Sequence, residues 1–364
     1  MIELRRPRNA LLALAVFASA CDLGPHDDAP ALGPALHLVA SYPADGQGTN
    51  AAPGADVSCD SPTPDCPVPT NLVIELRFDR FLLPSGALTS GARLYTGNAS
   101  NGVSLKVEYD LLERVVLLRP TRLLEPNTLY TADVVPGADK GHGFWAFDGA
   151  PLEGAAVPLR FGFTTGGGPR AALATPLGAP DTCETMVHGP LQRCSTCHIA
   201  RPSDAASPPA KFPPMGLDLA SSGGLFATAI GQVAHQTDIG DSSSGSGLRS
   251  PSRFGVQMNL VDPGNPATSY LMYKLMRRPE NFQLDPSEPS CVTGYHAPVA
   301  EGGCTPPNAE ESVRLREWFV LGDPMPKDQP GGAPPASSTT HADLVRIAAW
   351  IAAGANCSDP GSAN

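Results

Sequence analysis

The sequence is short of basic residues. Lysine and arginine number 25 against 36 aspartate and glutamate residues, which gives a formal net charge of −11 at pH 7. Affinity for nucleic acid comes from clustered lysine and arginine, and no such cluster lies beyond the N-terminus. The composition therefore excludes a nucleic-acid partner, and a basic protein partner would be steered toward this surface.

A catalytic set is also missing from the sequence. It contains no phosphate-binding loop, no Ser/His/Asp arrangement and no carboxylate pair suited to acid and base chemistry. His188, His235 and His341 are interpreted as solvated or packing residues. These residues therefore indicate none of the enzyme classes that depend on such sets.

The N-terminal apolar run is too short to span a bilayer. Three arginines precede "ALLALAVFASA" at residues 10–20, and small residues stand before Cys21. This order is typical of a signal peptide over residues 1–20. Two cleavages fit: an ordinary one after Ala20, and a lipoprotein one that makes Cys21 the lipidated N-terminus.

The cysteine count favours the lipoprotein. There are nine cysteines, and an odd thiol in an exported protein needs an explanation, which a lipid on Cys21 provides. "ASAC" resembles a bacterial lipobox. We therefore expect an extracytoplasmic protein of the cell envelope, in the periplasm or at the cell surface, with residues 21–35 as a tether to a membrane.

Residues 36–165 predict an Ig-like antiparallel β-sandwich. "NLVIELRFDRF" alternates apolar and charged residues, and "GVSLKVEYDL", "RVVLLRP", "NTLYTADVV" and "VPLRFGFTTG" follow at short intervals with turn residues between them. Cys59 and Cys66 flank a loop that a local disulfide could close. "SYPADG", "LRFDRFLL", "LRPTRLLEPNTLYTADV" and "FGFTT" resemble the SbsA-type bacterial Ig-like domains of cell-surface proteins. That resemblance implies a spacer or interaction module.

The region after residue 165 changes character. We predict a linker over residues 166–181, a mainly α-helical domain over residues 182–358 and a tail over residues 359–364. Helical spacing occurs in "NPATSYLMYKLMRR", in "AEESVRLREWFVLG" and in "THADLVRIAAWIAAG". Asn265 and Thr340 stand where N-caps are expected.

The motif "CSTCH", residues 194–198, is the strongest chemical signal. Two thiols three residues apart can add to both vinyl groups of one porphyrin, and His198 then lies where it can ligate the iron. A zinc site, a thioredoxin-like redox pair and a chance match are the alternatives. Zinc requires a second closely spaced ligand pair, and a redox pair requires a βαβ unit; the sequence shows neither.

Met325 in "LGDPMPKDQP" is the leading candidate for the sixth iron ligand. The flanking prolines prevent a helix and extend the backbone, so that the thioether can project from the loop. Met258, Met215, His296 and His341 are competing candidates. Histidine and methionine ligation raises the potential of haem iron and suits electron transfer.

The second half also resembles a c-type cytochrome domain of bacterial surface lipoproteins. "CSTCH", "GLDLASSGG", "VDPGNPATSYLMYKL", "DPMP" and "DLVRIAAWIAAGA" carry the resemblance in that order. It implies one covalent haem c on Cys194 and Cys197 with axial His198 and Met325. Tyr270, Leu271 and Trp350 would pack around the ring.

Four further cysteines complete the count. Cys291 is expected to pair with Cys304 inside an insertion of the cytochrome-like region, and Cys183 with Cys357 across its ends. Four cysteines allow three connectivities, so both pairs are hypotheses.

The sequence thus predicts an exported monohaem cytochrome that exchanges single electrons with redox protein partners. One alternative is a cell-surface interaction protein whose haem is structural. The other is a haem enzyme or sensor with an open sixth site.

Overall fold

The computed structural model describes most of the β-rich half and several separate stretches of the second half. The described residues are 32–55, 57, 62–89, 91–137, 142–155, 159–170, 181–199, 216–234, 257–277, 309–320, 325 and 340–357. Among them, those from Gly33 onward belong to one compact unit. The predicted signal peptide and most of the tether lie outside these residues, as does most of the predicted linker, so these boundaries stay predictions.

Eight strands form two sheets among the described residues of the N-terminal half. The first sheet has the order β4-β5-β2-β1-β7 and the second the order β3-β6-β8. The strands are β1 (Leu36–Tyr42), β2 (Ile74–Phe78), β3 (Ala92–Tyr95), β4 (Leu105–Asp110), β5 (Val115–Pro120), β6 (Leu129–Val134), β7 (Leu152–Ala155) and β8 (Arg160–Thr164). A short helix, α1 (Pro84–Thr89), follows β2. β2, β4, β5, β6 and β8 confirm the five strands that alternation predicted.

The sheets depart from the predicted antiparallel pattern at one edge. β1 pairs in parallel with β7, whereas its pairing with β2 is antiparallel, as are the other ladders. Apolar side chains from both sheets, such as Leu76 and Phe161, belong to one continuous hydrophobic core. A β-rich first half is therefore confirmed, and its Ig-like character stays a prediction.

Strand β2 buries more than its alternating sequence predicts. Ile74, Leu76 and Phe78 are buried as expected, but Glu75 is buried too. Arg77 is almost covered and forms an ion pair with Glu113, with 3.2 Å between Nη1 and Oε2. β2 lies between β1 and β5 in the sheet. The face that carries its charged residues is covered as well, whereas the alternation predicted that this face would be exposed to solvent.

Five helices lie in the described part of the second half. They are α2 (Cys183–Val187), α3 (Ser222–Thr228), α4 (Tyr270–Met276), α5 (Ala309–Arg314) and α6 (His341–Ala352). Helix α6 begins with the predicted capping box, because Thr340 and Asp343 each accept from the other's backbone N–H. No helix in the described residues has the length and apolar character needed to cross a membrane.

Two helices begin or end differently from their predictions. Asn265 precedes a 3₁₀ turn at Pro266–Thr268, without a side-chain capping bond, and α4 starts only at Tyr270. Helix α5 continues into a π-helical turn at Leu315–Phe319, closed by a 2.8 Å bond from the Val320 N–H to the Leu315 carbonyl. Such turns are rare and occur often at functional sites.

Candidate functional site

Cys194, Cys197 and His198 lie on a single turn of the chain. The Cys194 carbonyl accepts hydrogen bonds from the backbone N–H of Cys197 at 3.2 Å and of His198 at 2.8 Å. Cys194–Thr196 forms the 3₁₀ helix within this turn. The backbone thus brings together the three residues that the CxxCH motif requires.

The two thiols of this turn are free, unlike the other described cysteines. Cys194 and Cys197 form no disulfide, whereas Cys183 is bonded to Cys357 and Cys66 is also disulfide-bonded. Cys194 is 9% exposed, and Cys197 is exposed. The Cys183–Cys357 bridge confirms one predicted pair. Cys21, Cys59, Cys291 and Cys304 lie outside the described residues.

The environment of Cys194 differs from that of a redox-active thiol. Burial raises the pKa of the Cys194 thiol to about 11. Redox CxxC pairs and zinc-binding cysteines have lowered thiol pKa values, because the thiolate is the reactive or ligating form. The buried Cys194 thiol does not show this lowered pKa.

The segment before the candidate turn is linked to the C-terminal end of the helical region. Cys183 begins α2, and its bridge to Cys357 joins α2 to the segment after α6. An exposed ion pair between Asp181, two positions before Cys183, and Arg346 of α6, at 2.8 Å, joins the same two parts of the chain. The Leu219 N–H donates to the His198 carbonyl at 2.8 Å and connects the turn to the segment before α3.

The residues expected to pack around a haem are buried. Tyr270 and Leu271 lie at the start of α4, and Trp350, 1% exposed, lies near the end of α6. All three belong to the same continuous hydrophobic core as Cys194. Their burial agrees with a packing role, and their contact with a haem stays a prediction.

Met325 is half-buried at a bend of the chain, separated from the nearest described residues on both sides. Two of its competitors as sixth ligand, Met258 and His341, are buried. The other two, Met215 and His296, lie outside the described residues. The axial pairing of Met325 with His198 therefore stays a prediction.

Sequence reasoning missed a buried ionic cluster between the β-rich half and α5. Arg80 Nη2 lies 2.7 Å from Asp148 Oδ2, and Arg80 Nε lies 3.5 Å from Glu311 Oε1. The same Glu311 oxygen accepts a 2.7 Å hydrogen bond from the Phe81 N–H. Asp148 also accepts from the Gly33 N–H at 2.9 Å and lies 3.6 Å from Arg314.

Burial raises the pKa of the Glu311 carboxyl to about 7, although the nearby guanidinium of Arg80 acts in the opposite direction. No sequence pattern predicted this cluster, because "FDRF" continues an alternating strand and "AEES" is typical of an ordinary helix start. Two of its hydrogen-bonded residues, Phe81 and Glu311, are 230 positions apart along the chain.

No three His, Cys, Asp or Glu side chains in the described part of the chain are grouped as a preformed metal site. The possible donors at the CxxCH turn are two thiols and one imidazole, which lie close together in the sequence. That set fits covalent attachment of a porphyrin, in which the iron arrives with four nitrogen ligands of its own.

No family model and no curated protein matches the chain. Among solved structures, it resembles domains 1–6 of the surface layer protein SbsC, the N-terminal part of the bacterial S-layer protein SbsC, and the S-layer protein rSbsC(31-844). The identity is 12% in each, with TM-scores of 0.23, 0.21 and 0.23. The matches cover 31%, 31% and 32% of this chain and 14%, 23% and 15% of those proteins. Likeness at this level identifies neither a family nor an activity.

Proposed function

We propose that the chain is an exported electron carrier that holds one haem c on Cys194 and Cys197, with His198 and Met325 as axial ligands. The observation that carries the proposal is the CxxCH turn, whose two thiols stay free while the other described cysteines are in disulfides. A single turn presents all three groups, as attachment to one porphyrin requires.

Each residue has a separate task in this function. Cys194 and Cys197 fix the porphyrin by thioether bonds, and His198, as the next residue, holds the iron from one side. Tyr270, Leu271 and Trp350, with their helices α4 and α6, provide an apolar environment that excludes water. The haem supplies reversible single-electron transfer, at a potential raised by methionine ligation.

The surroundings of the carrier follow from the rest of the sequence. The signal peptide and Cys21 provide export and a lipid anchor to a membrane, and haem c is attached outside the cytoplasm. The β-rich half serves as a spacer or interaction module. The partners are redox proteins, and the acidic net charge favours those with a basic docking surface.

Covalent haem attachment tests this proposal. The full chain, produced with the haem-attachment machinery, is expected to give a pyridine haemochrome spectrum typical of two thioether bonds. Replacing Cys197 by Ser is expected to shift the spectrum to that of a single thioether, and replacing both Cys194 and Cys197 to abolish covalent haem. Ser195→Ala is the matched control within the turn, because it keeps both thiols. A wild-type chain without covalent haem would refute the function.

Methionine ligation is tested separately. Met325→Ala is expected to remove the far-red charge-transfer band of methionine-ligated ferric haem and to lower the reduction potential. Met258→Leu, at a buried methionine of similar size, is the matched control and is expected to keep the band. A band that survives in Met325→Ala would show that another residue is the sixth ligand.

A further inference from the structure

The segment that leads to Met325 is held by the β-rich half. Helix α5 contacts it through Glu311, which accepts from the Phe81 N–H at 2.7 Å and lies 3.5 Å from the guanidinium of Arg80. Arg314, at the end of α5, lies 3.6 Å from Asp148. These groups are largely shielded from water, and such pairs are screened far less than exposed ones.

Aromatic packing extends this attachment to the end of the π-helical turn. The Phe319 ring meets the Phe147 ring edge to face, with 4.7 Å between centroids. An edge-to-face pair of this kind contributes about 0.5–1.5 kcal/mol beyond its buried area. On the helical side, Arg277 Nη2 donates to the Arg316 carbonyl at 2.6 Å. The turn is thus held between the β-rich half and the end of α4.

Met325 follows Phe319 by only six positions. Six residues span at most about 20 Å even when fully extended. The anchored Phe319 therefore limits where the Met325 thioether can lie. A π-helical turn just before the candidate ligand also agrees with the frequent occurrence of such turns at functional sites.

The two proposed axial ligands thus have different supports. His198 belongs to a turn that the Cys183–Cys357 bridge and the segment before α3 fix within the helical region. Met325 follows a turn that contacts the β-rich half through Phe319 and the end of α4 through Arg316. A change in the contact of α5 and this turn with the β-rich half would remove one of the two supports of the segment before Met325.

From this arrangement we infer that the β-rich half controls the sixth coordination site, with Glu311 and Phe319 as positioning residues for Met325. The inference rests on the proposed function, since it requires the haem and its methionine ligand. It gives the β-rich half a role beyond that of a spacer: the potential and the ligand set of the haem depend on its docking to α5 and to the turn that follows.

The test uses the full-length, haem-loaded protein and two alanine variants, Glu311→Ala and Phe319→Ala. Both are expected to lose most of the far-red band and to show a lowered reduction potential, while keeping covalent haem. Phe319→Leu retains apolar volume and is expected to restore most of the band. Arg160→Ala, at an exposed ion pair of the β-rich half, is the control and is expected to match the wild type.

The outcomes separate this inference from the proposed function. Alanine variants with the wild-type band and potential would overturn the inference and leave the haem assignment intact. A wild-type chain with covalent haem but no methionine band would also overturn it. A wild-type chain without covalent haem would refute the proposed function itself. If the alanine variants fail to fold, Glu311→Gln decides, because it keeps the size of the side chain and removes the negative charge beside Arg80. An unchanged band and potential in this variant would overturn the inference.

Discussion

Replacing Arg80 by alanine is expected to lower the free energy of unfolding by about 3–5 kcal/mol, the usual cost of removing one partner from a buried ion pair. Arg80 is 1% exposed, and the side chain of Asp148, its partner at 2.7 Å, is fully buried. The substitution leaves Asp148 without its principal countercharge. Arg80 also donates to the Pro34 carbonyl, so the chain entering β1 loses a contact as well.

Denaturant unfolding of the full chain measures this loss. The matched control is Arg160→Ala, which removes an exposed arginine that pairs with Asp133 at 2.6 Å, a shorter distance than in the buried pair. Exposed pairs contribute little because water and salt screen them, so the control is expected to unfold close to the wild type. If Arg80→Ala unfolded at the same denaturant concentration as the control, the cluster would not be a principal source of stability.

Removing the Cys183–Cys357 bridge is expected to cost about 5 kcal/mol in the chain-entropy description of cross-links, an upper figure because a compact denatured state reduces it. The bridge joins residues 174 positions apart and so constrains a very long loop of the unfolded chain. The double variant Cys183→Ser/Cys357→Ser removes the cross-link without leaving a free thiol at either position. Thermal or denaturant unfolding under oxidising conditions measures the effect.

A second measurement separates the bridge from local packing. The single variants Cys183→Ser and Cys357→Ser both break the bridge, so each is expected to lose nearly as much stability as the double variant. The Asp181–Arg346 ion pair beside the bridge is exposed and is not expected to compensate. A double variant as stable as the wild type would contradict a stabilising role for this cross-link.

Local patterns predicted the regular elements well. Five strands were predicted from alternation, because a sheet with one buried face imposes a period of two on its sequence. Helix α6 was predicted from its apolar spacing and its Thr340 capping box, since both are set by residues within a few positions of each other. The predicted start of α4 was wrong by several residues, because a 3₁₀ turn follows Asn265 and the α-helix begins only after it.

Long-range contacts were beyond such patterns. The burial of Glu75 depends on β1 and β5 flanking β2, and the parallel pairing of β1 with β7 joins segments more than a hundred positions apart. The contacts of Glu311 with Arg80 and Phe81 depend on how α5 docks on the β-rich half. A short stretch of sequence around a charged residue does not show whether that residue becomes buried under another element or stays exposed to water.

The sequence by itself determined the spacing of Cys194, Cys197 and His198, the acidic net charge and the alternation that builds β-sheets, and it predicted an export signal. The spacing and the alternation are properties of neighbouring residues, and the net charge is a sum over all residues. None of them depends on how the chain folds. Only the tertiary structure decided that Cys183 reaches Cys357 while Cys194 and Cys197 stay free, and that α5 lies against Arg80 and Phe81. The physical reason is that pairing and burial depend on which distant segments meet, and this is settled by the packing of the whole chain.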